Sequence, residues 1–180
     1  GGATPDFGSH FPASLDMFML EVTWWSQRAL WHLMFSGVFE RHPNLQWVNT
    51  ESGTAWVPET LAKLDSFYDR MKHSKYGSEA IFGGAAVAGM SLTPSEYWQR
   101  QCHVGASFLR PAEVNVVRSL GVDKVMWGSD YPHIEGSHPY TDQHLRLTFG
   151  EMSTGEATQI LTTNAANIYK FDVAALQALA

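Results

Sequence analysis

The stretch Val125-Met126-Trp127-Gly128-Ser129-Asp130-Tyr131-Pro132-His133 carries the pattern on which the fold turns. An apolar run ends in Gly-Ser, an acid follows at once, Tyr-Pro turns the chain, and a histidine stands three residues after the acid. Such a pattern describes a buried strand that delivers one carboxylate to its C-terminal end. In parallel α/β folds ligands bind and chemistry occurs at that end. An isolated Asp after a strand also serves as a loop cap, so the weight falls on its surroundings.

Upstream, Thr93-Pro94-Ser95-Glu96 is a helix start: Thr93 caps, Pro94 takes the first position, and Glu96 closes a capping box. The short helix leads into a strand over Cys102–Phe108. A further helix follows over Pro111–Leu120, with Val114, Val117 and Leu120 inward and Gly121 ending it. Earlier still, Leu45–Thr50 alternates and is rich in strand formers. Glu51 follows it as a second carboxylate at a strand tip. Gly53 allows a tight turn or a close approach of backbone to ligand. From Ala55 to Lys72, Val57, Leu61, Leu64, Tyr68 and Met71 hold the 3-4 spacing of one buried helix face, and Pro58 fits the first turn.

The order helix, strand, helix, strand, helix, strand, helix means parallel strands joined by right-handed crossovers, an α/β fold. Three such strands cannot close a barrel. They form either a small open sheet or the second half of a (β/α)8 barrel. No linker divides the chain, so residues 1–180 are read as one domain. Residues 73–92, with the small and flexible Ile81–Gly89 run, read as an insertion over one barrel end. They lack the Gly-Lys-Ser/Thr ending of a phosphate loop.

Two helices are expected before the first strand. The first starts at Leu15 behind Ser14 and is apolar almost all round as far as Trp25, so it is buried or packs on a partner subunit. The second spans about Ser26–Arg41 and is stopped by Pro43. Residues 1–14 are loop-like and hold His10. After Asp130, a loop with His138 leads to a helix over Thr141–Phe149. A last helix, with Ile160, Leu161, Ile168 and Tyr169, opens at the Ser153-x-x-Glu156 capping box.

The formal charge of −6 and the lack of any Lys/Arg cluster argue against a nucleic-acid surface. No apolar run approaches the ~20 residues of a membrane span. The single cysteine, Cys102, excludes an internal disulfide and suits a reducing compartment, so a cytoplasmic protein is expected. The Gly1-Gly2-Ala3 start, without an initiator Met, is expected of a fragment or processed product.

Three stretches resemble one family. Phe35-Ser36-Gly37-Val38-Phe39-Glu40-Arg41-His42-Pro43-Asn44-Leu45 is similar to the G-V-F-E-R-x-P-x-L signature of the amidohydrolase-related family. Trp127–Pro132 is similar to its strand-eight motif, and Asn164–Tyr169 resembles its C-terminal helix. The family comprises metal-dependent (β/α)8-barrel hydrolases and non-oxidative decarboxylases. The resemblance therefore implies the C-terminal half of such a barrel. It also implies a divalent ion, zinc or manganese, and a small carboxylated or aromatic substrate. Of the family's usual ligands (a His-x-His on strand one, a histidine after strand five, the strand-eight Asp) only the last has a match, at Asp130. Asp130 is thus expected as metal ligand and proton handler. The chain alone holds too few ligands for certain binding of the ion, and a catalytically incomplete fragment that self-associates is the alternative. Where some members place a strand-six histidine, Glu51 stands, a candidate general base or acid. His133, His138, Trp56 and His10 are candidate substrate contacts. His103 reads as a core or supporting residue. Exposed strand edges of a half barrel would demand a partner, so a homo-oligomer is expected.

Overall fold

The computed structural model describes residues 14–107 and 109–178. The three parallel strands lie in the order β1 (Trp47–Thr50), β2 (Cys102–Ser107), β3 (Val125–Gly128). Thr50 is level with Gly105 and Ser107 with Gly128, so the C-terminal tips gather along one rim. Strand alternation sends two different surfaces to the two faces. One face carries Cys102, Val104, Ala106 and Val125, all without exposed surface. The other presents Thr50, Gly105, Ser107 and Gly128 near the tips, small residues that leave a hollow floored by Met126.

The crossovers cover the first face. Between β1 and β2 run α3 (Trp56–His73) and α6 (Pro94–Gln101), and between β2 and β3 runs α7 (Val114–Leu120) behind a 3-10 turn at Pro111–Glu113. Val57, Leu61, Leu64, Tyr68 and Met71 are all buried, as their spacing requires, and Val114, Val117 and Leu120 join the same core. Each such side chain contributes about 1.5–3 kcal/mol when fully buried. The helix-covered face therefore carries the stability and frees the small-residue face for a ligand. The Thr93–Glu96 capping box forms as expected.

The N-terminal helices depart from expectation. One helix, α1 (Ser14–Phe35), runs unbroken through Trp25–Ser26, and the break falls at Gly37 before the short α2 (Val38–Arg41). Ser26 does not stop the helix, because its hydroxyl donates back to the Thr23 carbonyl at 2.8 Å. Gly37 does, with φ 73°, where a side chain would also crowd Arg41. Residues 73–92 are likewise more ordered than the small-residue run suggests. Two short helices, α4 (Ser78–Phe82) and α5 (Gly84–Ala88), pack on α3 through buried Val87 and around Met71. They follow the C-terminal end of α3, which points away from the strand tips.

Beyond β3, α8 (Thr141–Phe149) is fastened by the Thr148 hydroxyl, which donates to the Leu109 carbonyl at 3.0 Å. The last helix starts at the Ser153/Glu156 capping box as α9 (Thr154–Thr158). It then makes one π turn, Gln159–Thr163, and continues as α10 (Asn164–Tyr169). Buried Asn164 donates to the carbonyls of Val122 and Val125, both at 2.7 Å, and so pins this helix to the start of β3. The Arg118 guanidinium, 2.8 Å from Glu156, holds that carboxyl down at about 2. A further helix, α11 (Val173–Gln177), is capped by Asp172 and carries no expectation from the sequence.

His103 lies on the hollow face but toward the N-terminal end of β2, level with Val48 and away from the tips. It is 6% exposed and its Nε2 meets the Gln46 side-chain oxygen at 3.0 Å. Burial, and then the nearby Lys124 ammonium, push its pKa below the usual 6.5. The unfolded chain therefore binds a proton that the folded one refuses. Stability is full above about pH 6.5 and falls as pH drops toward the folded pKa. Melting temperature should decline from pH 7 to pH 5, and His103→Gln should flatten that decline. An unchanged slope in the variant would assign the pH dependence elsewhere.

Candidate metal centre

Glu51 and Asp130 each follow the end of a strand, β1 and β3, which flank β2. Both residues have left-handed backbone, φ 54° and φ 57°. Non-glycine residues adopt that conformation at a cost and only where the surroundings enforce it. Two carboxylates are thus turned out of their strand directions and brought toward each other across the tip of β2. His133 completes the group: one ligand atom from each of Glu51, Asp130 and His133 lies within 4.8 Å of the others.

The loop after β3 places the histidine. His133 N donates to the Asp130 carbonyl at 2.8 Å, Gly136 N to the His133 carbonyl at 3.0 Å, and Ser137 N to the Ser129 carbonyl at 2.9 Å. Gly136 sits where a Cβ would fall within 2.9–3.0 Å of all three carbonyls, so only glycine closes this loop without moving them. The imidazole Nδ1 lies 2.9 Å from the Glu135 carboxylate and 3.4 Å from Asp130 Oδ2.

The Glu51 turn is held from below by a residue the sequence does not single out. Buried Glu113, in the 3-10 turn after β2, accepts from Thr54 N at 2.6 Å, from the Thr54 hydroxyl at 3.0 Å and from Ala55 N at 3.3 Å. It thereby satisfies free backbone donors at the head of α3. A Cβ on Gly53 would lie 2.8 Å from Glu113 Oε1. The close approach expected at Gly53 is therefore to this carboxylate. Asn49 supports the same turn by donating to the Ser52 hydroxyl at 2.9 Å. Only an acid near a helix start, Glu113 three residues after Arg110, signals this in sequence, and such acids are common.

The donor set suits a divalent cation. Asp130 Oδ2 is buried and has no hydrogen-bond partner among the described residues, an arrangement costly for a carboxylate unless a cation or water meets it. Two carboxylates and an imidazole are ligands that zinc and manganese accept. The hollow beside them, about 270 Å³, is lined by Thr50, Gly105, Ser107, Trp127 and, from α10, Ala165 and Tyr169. Tyr169 and Ser107 are not legible as site residues in the sequence, because neither type nor spacing marks a pocket wall.

The other candidates lie apart from this group. His138 packs edge-on against Tyr131, ring centres 5.2 Å apart, in the loop before α8. Trp56, at the head of α3, packs edge-to-face on buried Trp98 at 6.2 Å and faces α1, because the first turn of α3 turns it away from the strand tips. His10 lies outside the described residues. Cys102 is buried, its thiol pushed far above its usual range by burial, in keeping with a core role. Among the described residues no helix is long and apolar enough to cross a membrane.

No curated protein matches the chain. A solved amidohydrolase from Mycobacterium avium subsp. paratuberculosis K-10 superposes with a TM-score of 0.62 at 22% identity, over 81% of this chain. The chain spans 33% of that protein's length. The likeness shows the fold, that of part of a (β/α)8 barrel. The family model described as Amidohydrolase matches residues 25–171, most of the sequence, including the β1 and β3 tips that carry Glu51 and Asp130. With its parallel sheet, its gathered strand tips and this match, the chain belongs to the amidohydrolase family.

Proposed function

We propose that the cleft at the strand tips is the C-terminal part of a metal-dependent hydrolase site, with Asp130, Glu51 and His133 holding one zinc or manganese ion. The observation that carries this reading is the convergence of the three donors around a buried carboxylate oxygen without a hydrogen-bond partner among the described residues. A divalent ion bound there supplies Lewis-acid polarisation of a substrate carbonyl or carboxylate oxygen. The chain's own residues do the rest. Asp130, 17% exposed, holds or passes a proton at Oδ2. The Glu135 carboxylate, 2.9 Å from His133 Nδ1, supplies a negative neighbour for the ring. Met126 and Tyr169 wall a hollow that fits a small aromatic or carboxylated molecule and displaces water from it.

Hydrolysis and non-oxidative decarboxylation place the same groups around different scissile bonds, and their products separate them. Calorimetric titration of metal-free protein with zinc and with manganese should give one ion per chain. Incubation of the loaded protein with aromatic amides and aromatic carboxylates should release the acid in the first case or carbon dioxide in the second. Failure to bind either ion removes the proposal. An ion bound without turnover leaves an incomplete site, as expected of a chain spanning a third of its solved relative.

A further inference from the structure

We infer that the N-terminal half of α1 and the groove beside it form a twofold interface between two copies of this chain. Leu30 and Met34, near the end of α1, are fully buried. The first half is not: Phe18 is 43% exposed, Met19 66%, Leu20 75%, Val22 42% and Trp24 48%. A helix segment apolar almost all round is built to be covered, and no described element covers this half of α1.

Next to this apolar arm lies an apolar groove of about 820 Å³. One wall is the second half of α1, with Trp31 and Phe35. The other is α3, from Trp56 through Leu64 and Phe67 to Arg70. The lengths agree. The arm from Ser14 to Trp25 spans about 17 Å and the α3 wall from Trp56 to Arg70 about 21 Å at 1.5 Å per residue.

Charge selects a second copy as the occupant. The arm carries Asp16 and Glu21 and no basic residue before Arg28. The groove is bordered by Lys63, Arg70 and His32 against a single acid, Glu59. Two antiparallel α1 helices related by a twofold axis at Trp24–Trp25 set Glu21 of one copy opposite Arg28 of the other, and Asp16 beside His32. The guanidinium of Arg28 already lies 5.8 Å and 5.3 Å from the centres of the Trp24 and Trp25 rings, near that axis. The patch is thus self-complementary, which a closed dimer requires. Each arm fills the groove of the other.

The test is sedimentation equilibrium of the purified protein, with charge reversals at positions away from the metal donors. The wild type should be a dimer. Glu21→Arg and Arg28→Glu should each weaken it about tenfold, because like charges then face across the axis. The combined variant should restore it, a rescue that a folding defect cannot produce. A second measurement is independent of affinity. A Glu21→Cys, Arg28→Cys variant should form an interchain disulfide on mild oxidation, visible as a covalent dimer on a non-reducing gel, with buried Cys102 silent. A monomeric wild type, a dimer indifferent to the reversals, or the absence of the covalent dimer each overturns the inference. A monomeric wild type would mean that another segment or another protein covers the arm.

Discussion

Asp130→Asn is expected to weaken divalent-ion binding by more than about 100-fold, since even residues that only support a ligand cost 10- to 100-fold. The substitution is chosen because asparagine tolerates the left-handed backbone that Asp130 adopts at φ 57°. It removes the charge and leaves the turn in place. Melting of the metal-free protein should stay the same or rise slightly, because Glu51 then loses a like-charged neighbour whose ligand atom lies within 4.8 Å. Titration calorimetry reads the first effect and thermal melting the second. An Asp130→Asn protein that still bound the ion at full affinity would move the metal centre away from the β3 tip.

Glu113→Ala is expected to show the opposite division. It touches none of the three donors, yet its carboxylate holds the turn that carries Glu51. Removing it leaves the buried amide of Thr54 and the amide of Ala55 without their acceptor. Loss of a charge-assisted set of this kind costs about 3 kcal/mol. For a chain of this size that corresponds to a fall of roughly 6–12 °C in Tm. With the turn loosened, metal affinity should also fall, by about tenfold, through Glu51 alone. The double variant Glu51→Gln, Glu113→Ala should therefore bind the ion no more weakly than Glu51→Gln. Additive losses in affinity would mean that Glu113 acts on the centre by another route.

The two variants probe different layers of one arrangement. Asp130 and Glu51 supply charge where the strands end, and Glu113 and Gly136 fix the backbone that aims it. This division follows from the sheet. Its helix-covered face is packed with Val104, Ala106 and Val125, while its other face is kept small near the tips by Gly105, Ser107 and Gly128, with Met126 beneath them.

Much of this is written in local patterns. The apolar run into Gly128-Ser129-Asp130 specifies a strand and the place where it stops. The 3-4 spacing from Val57 to Met71 specifies which side of α3 is buried. The Thr93/Glu96 and Ser153/Glu156 pairs specify helix starts, because a capping box is satisfied by atoms three residues apart. The end of α1 is not legible in the same way. Ser26 can bond within the helix as readily as end it, and the left-handed Gly37 gives no stronger local sign than other glycines.

The sequence by itself determined the alternation of strands and helices, the parallel sheet, the family, and the two acids at strand tips, since each depends on residues close together in the chain. Only the tertiary structure decided that His133, and not His138 or Trp56, joins those acids, that Glu113 underpins Glu51 from 62 residues away, and that the apolar half of α1 stands uncovered beside a groove. These depend on distances between segments remote in sequence. Residue type and spacing set what a side chain can do, and packing sets which other side chain it meets.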